Sequence, residues 1–582
     1  MTDRAAYFAA KLPRLGVDEN TLLLLYAVAI GGAVGVAVIG FYHIINLVQG
    51  LALSTTASAS EFGSRVSILA VVLVGLAATR VLIRYGTGDS EGQNIPDVMR
   101  AVAKRGGIVH SFPVAIKTAG AALAIGTGGS VGAEGPVAVA GAALGSRIGR
   151  VFRSGPSRLK VLVGCGAAAG ISAAFNAPIA GVFFALEKVI GSFGVTSFPP
   201  VLLASVISAA ISRAAFGNSP VIEIPTEYGV GAPSDLILYA ALGVFTGVAA
   251  VVYSRGPFVI GDLFKRIPAV WARVLMGALL VAVLDILFRA DLWGHGHESF
   301  SVEMIGARSA QFLIALAFAK ILATSVTLSV TRTGGVFTPA LFVGATLGGG
   351  LATAAAKFLP GFTIVPEAFA LVGMAGLVAG STHAPLTAIM IVFEMTNDYA
   401  LILPLMLCGA IAYITARRIH PESIYSEWLV RRGENIHSGH DTAVLERLSV
   451  SDCYDDDPDV ISEAATVPQI VKAIGSSPQI EFPVLDANLE LLGMITYDDL
   501  RTVLSDADKL APVVLAGDLA KQQFEFVTPR DSLRTALQKL GVRGSHCIPV
   551  VAEHPSGRLL GLISRQEILT AYDRELLKQE QE

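Results

Sequence analysis

Glu134 lies in a sequence context in which a carboxylate could control the passage of an anion. It follows Gly132-Ala133 and precedes Gly135-Pro136, after which an apolar helical pattern begins. A helix that starts at such a turn presents unpaired N–H groups and the positive end of its dipole. Those groups would bind an anion, and the carboxylate would compete with it for them. A carboxylate at membrane depth is usually functional, although a simple helix cap would also place one here.

A second motif repeats the first without the carboxylate. Gly335-Val336-Phe337-Thr338-Pro339 aligns with the first motif at a constant offset of 203 residues. Further on, Asn176–Glu187 and His383–Glu394 share an Ala-Pro pair and a final glutamate at an offset of 207. Paired Gly/Pro-interrupted apolar segments in two halves of a membrane protein indicate a site at the repeat interface. We therefore expect two helix N-termini to converge on one anion site.

The composition is that of a polytopic membrane protein. The chain has 582 residues, of which 53% are hydrophobic and 15% are charged, whereas globular proteins carry about 25% charged residues. Full membrane spans are predicted at 21–48, 66–84, 233–256, 269–290 and 310–331. Shorter apolar pieces occur at 111–126, 136–148, 161–173 and 368–380. We interpret these as half-helices buried in protein, although Gly and Pro could merely kink ordinary spans.

Charge divides the chain into a membrane part and an acidic tail. Residues 441–582 hold 24 acidic and 13 basic residues, and residues 1–440 hold 23 acidic and 30 basic. The basic pair Arg431-Arg432 precedes the tail, so the positive-inside tendency predicts a cytoplasmic tail. The four cysteines lack metal spacing and are typical of buried residues in a reduced setting. The predicted parts are a cytosolic N-terminus (1–20), a membrane domain (21–430), a linker (431–445) and two tail domains (446–505 and 513–575).

The tail reads as a tandem α/β repeat. Gly493–Leu500 and Gly561–Ile568 are similar to each other, and each follows an apolar strand pattern. The repeat resembles a pair of CBS domains of the cystathionine-β-synthase type. That resemblance implies that Thr496 with Asp499, and Ser564 with Glu567, could hold an adenosine ribose. Glutamate replaces the usual aspartate at residue 567, which weakens the second site. A dimerisation module without nucleotide is the alternative.

The membrane part resembles the CLC family of chloride channels and chloride/proton exchangers over roughly residues 20–430. Gly132–Pro136 matches G-x-E-G-P and Gly335–Pro339 matches G-x-F-x-P. The resemblance implies an all-α membrane domain of two inverted repeats with broken helices, as a homodimer with one pore per subunit. It makes Glu134 the gate. It also assigns a set of anion-binding residues, with the backbone of Val336 and Phe337 at a central anion and that of Ala133 to Gly135 at an outer one.

Tyr425 matches the tyrosine whose hydroxyl closes the inner side of the family's pore. An interfacial aromatic anchor is the alternative. The family's inner loop usually reads G-S-G-I-P, and its serine touches the central anion. Here the loop is Gly92-Gln93-Asn94-Ile95-Pro96. The amides of Gln93 and Asn94, beside Ile95, could still hold an anion, but this loop tunes selectivity, so nitrate or fluoride stays open beside chloride.

Two further departures concern coupling and the outer site. The family's exchangers usually carry a second glutamate on the inner proton path, at the position of Lys188, and some carry an acidic neighbour at the position of Met99. A lysine with a pKa near roughly 10.4 relays protons poorly unless burial lowers it. Lys188 could also be a snorkelling lysine, or draw anions into the inner mouth. Ala133 replaces a frequent arginine, so we expect weaker anion binding at the outer face.

These observations predict a multi-pass membrane protein that passes a small inorganic anion, most simply chloride, in a channel-like or weakly proton-coupled manner. A chloride/proton antiporter with another inner proton path is the alternative. An organic-anion transporter and a signalling protein with a vestigial pore are less consistent with the motifs. No nucleophile–base pair, metal cluster or phosphate loop stands out, so neither an enzyme nor a metal site is expected. The expected partners are the anion, protons, lipid and a second copy, without nucleic acid. Transport needs no cofactor, but an adenine nucleotide could bind the tail.

Overall fold

The computed structural model describes residues 19–56, 61–88, 94–218, 222, 235–288, 291–294, 302–434, 445–446, 448–477, 479–496, 499, 514–522, 524–543, 546–552 and 557–581. The chain divides into two compact units between residues 435 and 436. Gln93, residues 1–18 of the predicted N-terminal segment and most of the predicted linker lie outside the described residues.

The first unit is helical throughout its described part. Its helices are α1 (Glu19–Thr56), α2 (Glu61–Thr87), α3 (Ile95–Lys104), α4 (Ser111–Gly126), α5 (Glu134–Val151), α6 (Pro156–Phe175), α7 (Pro178–Phe184), α8 (Phe198–Phe216), α9 (Leu236–Lys265), α10 (Val270–Leu287), α11 (Val302–Ala307), α12 (Ala310–Thr331), α13 (Phe337–Ala355), α14 (Pro366–Thr382), α15 (Pro385–Thr396), α16 (Ile402–Ile419) and α17 (Ser426–Val430). A π-helical turn, Ala185–Ile190, continues α7, and a 3₁₀ turn, Tyr399–Leu401, precedes α16.

Within the described part, nine helices have the length and the apolar composition to cross a membrane. The predicted short pieces at 111–126 and 368–380 are confirmed as the 16-residue α4 and the 17-residue α14. The prediction was wrong for 161–173, which belongs to the 20-residue α6, one of these nine helices. The piece at 136–148 lies in the 18-residue α5, which is not one of the nine. Both helices continue through charged residues, which a search for apolar stretches of sequence leaves out. Thus α6 begins at Pro156 and carries Arg158 and Lys160 in its first turns.

The two repeats use the same helix crossing. In the first repeat α5 packs on α6, and in the second α13 packs on α14. A Cβ added at Gly141 would meet the carbonyl of Gly166, and one added at Gly344 would meet the carbonyl of Gly373. These pairs correspond at the offsets of 203 and 207 found in the sequence. The repeated glycines therefore let two helix backbones touch, which is a common way of packing helices in lipid.

The second unit is α/β. Its helices are α18 (Val467–Ser476), α19 (Ala516–Leu519), α20 (Leu533–Arg543) and α21 (Arg565–Gln581), with a 3₁₀ turn at Val450–Asp452. Its strands are β1 (Ile461–Ser462), β2 (Glu481–Leu485), β3 (Leu491–Thr496), β4 (Cys547–Val551) and β5 (Leu559–Ser564). Strand β2 pairs parallel with β1 and antiparallel with β3, and β4 pairs antiparallel with β5. Both antiparallel pairs have a register shift near their ends, which supports the tandem repeat.

Candidate functional site

Two helix N-termini from different repeats meet in the interior of the first unit. Helix α5 begins at Glu134 and α13 begins at Phe337, as the offset of 203 predicts. Just before them, Gly132 and Gly335 form an antiparallel bridge, in which the amide of each donates to the carbonyl of the other over 2.8 Å. The bridge fixes the positive ends of two helix dipoles close together, which is a favourable place for a negative charge.

The carboxylate of Glu134 already lies at the start of α13. The Phe337 N–H donates to Glu134 Oε1 over 2.5 Å, and the Thr338 hydroxyl donates to Oε2 over 2.7 Å. The Glu134 residue is only 1% exposed. Its carboxylate therefore takes donors of the opposite repeat that an anion would otherwise use. The sequence did not indicate Thr338 as a functional residue, because its position in G-x-F-x-P is a variable one.

The glycines around this carboxylate make room for it. A Cβ added at Gly132 would meet the three outermost atoms of the Glu134 side chain before any others. A Cβ at Gly335 would meet the same carboxylate and the backbone nitrogen of Gly135. Both glycines of the bridge are thus explained by the space that the carboxylate fills rather than by a special backbone angle.

Aromatic side chains hold the loop that leads into α13. Phe337 is buried, and its ring centroid lies 5.7 Å from that of Phe175. The Tyr253 hydroxyl donates to the carbonyl of Val336 over 2.5 Å. Sequence reasoning missed Tyr253 because it lies within the apolar pattern of α9, far along the chain from either motif. Its contact orients the peptide groups at which the predicted central anion would bind.

A cavity of about 300 Å³ opens beside the two N-termini and is lined by Gly135, Gly335, Val336 and Tyr425. Six cationic side chains and one acidic side chain are among its described lining residues; they are Lys117, Lys265, Arg273, Arg332, Arg431, Arg432 and Asp262. We call it the basic cavity. Tyr425 is buried, and its hydroxyl has no hydrogen-bond partner in the described part of the chain. The basic cavity can attract an anion towards the N-terminus of α13, and the Tyr425 hydroxyl is a donor on that route.

The predicted inner loop contributes Asn94 and Ile95 to the lining of the basic cavity. Asn94 precedes α3 as its N-cap, and its own N–H donates to Asp97 Oδ2 over 3.2 Å. Arg432 binds the other oxygen of Asp97 over 3.1 Å. The loop end is therefore fixed by a capping box and an ion pair. The structure does not describe Gln93, so its predicted contact with the anion stays a prediction.

The second pair of repeated motifs forms a reciprocal clasp. The Glu394 carboxylate of α15 accepts from Ile179 N (3.0 Å) and Ala180 N (2.7 Å) at the start of α7. The Glu187 carboxylate, just beyond α7, accepts from Thr387 N (3.0 Å) and Thr387 Oγ1 (2.7 Å) at the start of α15. Each repeat thus caps the helix of the other. The sequence predicted that the two glutamates correspond, but not that each caps a helix of the other repeat.

Lys188 follows Glu187 in the π-helical turn and is half-buried. Helix α3, which carries Met99, packs against this turn. Lys188 and Met99 therefore lie on adjoining elements. Neither belongs to the described lining of the basic cavity.

The four predicted nucleotide residues of the tail pair with each other. The Thr496 amide and hydroxyl donate to Asp499 Oδ2 over 2.9 and 2.7 Å, and Lys521 binds Asp499 Oδ1 over 2.7 Å. Burial opposes ionisation of Asp499, but the hydrogen bonds from Lys521 and Thr496 outweigh it and hold the pKa of this carboxyl below its usual value. The Ser564 amide donates to Glu567 Oε2 over 2.6 Å. Glu567 thus accepts from the backbone amide as Asp499 does, but the Ser564 hydroxyl accepts from the Glu567 amide over 3.3 Å, whereas the Thr496 hydroxyl donates to the Asp499 carboxylate.

A cavity of about 680 Å³ adjoins Ser564 and Glu567 in the tail. Its described lining includes one arginine and five carboxylates, which are Arg574, Asp452, Asp455, Asp457, Asp459 and Glu567. This charge disfavours a polyphosphate. No group of three or more His, Cys, Asp or Glu that could hold a metal ion occurs among the residues described in the structure.

Comparisons with known proteins point to one family for each unit. A family model described as "Voltage gated chloride channel" matches residues 70–417, and a CBS domain model matches 450–506 and 516–574. A "Putative chloride channel protein ClcB-like" of Ralstonia nicotianae is 32% identical over 431 residues, covering 71% of this chain and 98% of that protein. The "H(+)/Cl(-) exchange transporter ClcA" of Citrobacter koseri is 29% identical over 424 residues, covering 71% and 89%. The crystal structure of a slow cyanobacterial Cl⁻/H⁺ antiporter is similar with a TM-score of 0.64 and 26% identity, covering 72% of this chain and 98% of that one.

Proposed function

The chain belongs to the voltage-gated chloride channel family, and we propose that it carries chloride through a pore gated by Glu134. Membership of the family makes it a multi-pass membrane protein that transports an anion, and not an enzyme. The identity of the anion, the gate and the degree of proton coupling are the proposed parts.

The contact between Glu134 and Phe337 carries the proposal. The carboxylate accepts the Phe337 N–H over 2.5 Å and so fills a position that suits a permeating anion. Backbone N–H groups bind an ion with partial charges, which favours occupancy without trapping it. When the carboxylate leaves, an anion from the basic cavity can take its place. Protonation favours that departure, since a neutral carboxyl gains less from the helix dipole than a carboxylate does.

We propose that proton coupling is weak and that transport is channel-like. Lys188 occupies the inner position at which exchangers of the family usually carry a glutamate, and Met99 lies on the adjoining helix α3. An ammonium group with the ordinary pKa of a lysine is a poor relay for protons at neutral pH. Chloride flux then depends on pH through Glu134 alone, without a fixed number of protons moved for each chloride.

A chloride/proton antiporter is the second candidate, and the comparisons favour it. The relative from Citrobacter koseri is described as an H⁺/Cl⁻ exchange transporter, and the cyanobacterial structure is described as a Cl⁻/H⁺ antiporter. In this case protons reach Glu134 from the inner side by a route that avoids Lys188. The same gate serves both candidates, because an exchanger also needs a carboxylate that alternates between protonated and anion-displacing states.

Selectivity rests on the residues that face the two anion positions. Chloride is the proposed anion, with nitrate or fluoride as alternatives because Gln93 and Asn94 replace the usual serine loop. We propose that the backbone of Ala133 to Gly135 serves an outer position, with Val336, Phe337, Ile95 and Tyr425 around the central one. Ala133 weakens the outer position because it supplies no cationic side chain.

Three assignments concern the assembly and the tail. We propose a homodimer with one pore in each subunit and a cytoplasmic tail that begins after Arg431-Arg432. We propose further that an adenine nucleoside or nucleotide regulates transport from the CBS pair. The cavity beside Ser564 and Glu567 supports this role, although its acidic lining favours a ligand with few phosphates. Thr496 and Asp499 are proposed as the other nucleotide site, since neither is among the described residues that line this cavity.

Flux from liposomes tests the proposal. Purified protein in liposomes loaded with chloride is followed for chloride efflux and external pH together, with the potential clamped by valinomycin. Chloride efflux without proton movement supports the channel-like mechanism. Proton movement against its gradient establishes the antiporter instead. Absence of chloride flux, with flux of nitrate or fluoride, moves the assignment to another anion. Absence of flux for all three anions contradicts the proposed function.

A further inference from the structure

We infer that the Thr338 hydroxyl is a ligand of the permeating anion at the central position and sets its selectivity. The inference rests on the proposed function, since it deepens the chemistry of the site that Glu134 occupies. Thr338 is the second residue of α13 and is 9% exposed. Its Oγ1 donates to Glu134 Oε2 over 2.7 Å, while the Phe337 N–H donates to Oε1 over 2.5 Å. The two donors therefore converge on one carboxylate.

The orientation of this hydroxyl is unusual among the helical threonines of the first unit. Many of them donate to the carbonyl four residues earlier in their own helix, as do Thr79, Thr246, Thr327, Thr331, Thr346 and Thr396. Such a bond satisfies the hydroxyl locally. Helix α13 begins at Phe337, so no helical turn precedes Thr338 to supply that carbonyl. Its hydroxyl is directed instead at the position that the gate occupies.

Departure of the gate leaves the Thr338 hydroxyl in need of another acceptor. A buried hydroxyl without a partner is costly, and an anion offers only acceptor capacity. Chloride or fluoride entering beside the Phe337 N–H can accept from both donors at once. The state with the carboxylate bound and the state with the anion bound are therefore nearly equal in free energy, because each occupant accepts from the same two donors. The family's usual loop serine is missing from the Gln93-Asn94 loop, and Thr338 supplies a hydroxyl in its place.

A hydroxyl donor discriminates among anions. Hydrogen bonds to a compact anion with concentrated charge are stronger than those to nitrate, whose charge is spread over three oxygens. Thr338 therefore favours chloride over nitrate. Because the hydroxyl also contacts the closed gate, a change in flux alone cannot separate ligation of the anion from retention of Glu134. The test needs a background without the gate.

Chloride and nitrate binding by calorimetry, on full-length purified protein carrying Glu134→Ala, provides that background. Adding Thr338→Val removes the hydroxyl and keeps the shape, and we expect chloride affinity to fall about tenfold, with a smaller loss for nitrate. Adding Thr338→Ser should restore most of the affinity, because it restores the donor. Thr346→Val is the matched control in the same helix, since its hydroxyl donates to Phe342 O. It should leave both affinities unchanged.

Two results overturn the inference. Equal chloride affinity with and without Thr338→Val, in protein that elutes as a single species, contradicts ligation by the hydroxyl. Equal losses in Thr338→Val and Thr346→Val contradict a specific role for residue 338. If wild-type protein still transports chloride, either of these binding results overturns this inference and leaves the proposed function standing. Absence of anion flux from wild-type liposomes overturns the proposed function, and this inference with it.

Discussion

Gly132 and Gly335 face each other across the two repeats, and each amide donates to the other's carbonyl over 2.8 Å. The bridge places the Glu134 carboxylate against the first amide of α13, in the space that a Cβ on either glycine would need. In the proposed mechanism, closure of the gate therefore depends on two residues without side chains. The dependence can be tested at Gly132, where the nearest atoms to an added Cβ all belong to the movable end of Glu134.

Gly132→Ala should open the gate. The added methyl group competes with the carboxylate, and overpacking of this kind costs about 1–3 kcal/mol. Destabilising the closed state to that extent raises the ratio of open to closed protein by about 5- to 150-fold. We expect faster chloride efflux from liposomes at neutral pH and a weaker response to acid. Gly40→Ala is a suitable control in a membrane helix, because an added Cβ there meets nothing within 4 Å. Unchanged or slower efflux from Gly132→Ala would contradict this reading of the bridge.

The clasp between the repeats should contribute to stability. Removing the Glu394 carboxylate leaves the amides of Ile179 and Ala180 without their acceptor. We expect Glu394→Ala to lower the free energy of unfolding by about 1–3 kcal/mol. Glu394→Gln keeps one acceptor oxygen and should lose less. Thermal unfolding in detergent measures the series. Identical unfolding temperatures for wild-type protein and both variants would show that the clasp is dispensable.

Lys188→Glu should strengthen proton coupling. The substitution places a carboxylate in the half-buried π-helical turn beside Glu187. Burial and the neighbouring carboxylate raise the pKa of a glutamate from about 4.3 towards neutral, so the new side chain can accept and release a proton. The ratio of protons to chloride, read from simultaneous pH and chloride recordings in liposomes, should rise. Lys357→Glu changes the same charge at an exposed position beyond α13 and should leave the ratio unchanged. A ratio in Lys188→Glu equal to that of wild-type protein would remove Lys188 as the cause of weak coupling.

The Asp499–Lys521 ion pair should stabilise the tail at neutral pH, and this contribution should be lost in acid. The pKa of Asp499 is lowered in the folded protein, so its ionised form stabilises the fold above the usual pKa of an aspartate. That contribution is lost as the pH falls through the lowered value. Lys521→Met should accelerate hydrogen exchange in β3 at pH 7 by an amount that corresponds to about 0.2–1 kcal/mol. The difference from wild-type protein should shrink towards pH 3 (about one unit below the usual carboxyl pKa). A difference that grows in acid would contradict the assigned sign.

Sequence reasoning succeeded where a feature depends on local order along the chain. The offset of 203 predicted that α5 and α13 begin at corresponding residues, and the offset of 207 paired the Ala-Pro motifs at which α7 and α15 begin. Asn176 and His383, the first residues of those motifs, both adopt the left-handed conformation that ends a helix, with φ of 54° and 53°. These are properties of short segments, which carry their own turn chemistry.

The contacts that join distant segments could not be predicted in the same way. Thr338 lies within the Gly335–Pro339 motif, but only the approach of Glu134 from the other repeat gives its hydroxyl a role. Tyr253 lies in an apolar helix and contacts Val336 only because α9 packs beside the α13 loop. The reciprocal capping by Glu187 and Glu394 likewise depends on the position of one repeat relative to the other. Periodicity and motif spacing contain no record of such pairings.

The claim that Glu134 and the anion compete for one position can be tested most directly with bromide. Crystals of wild-type protein and of Glu134→Gln, grown at neutral pH with bromide in place of chloride, are compared by anomalous diffraction. We predict a bromide peak within about 3.5 Å of the Phe337 nitrogen in Glu134→Gln, because the neutral amide leaves the site, and no peak there in wild-type protein. Bromide beside Phe337 in both proteins, or in neither, would contradict the proposed gate.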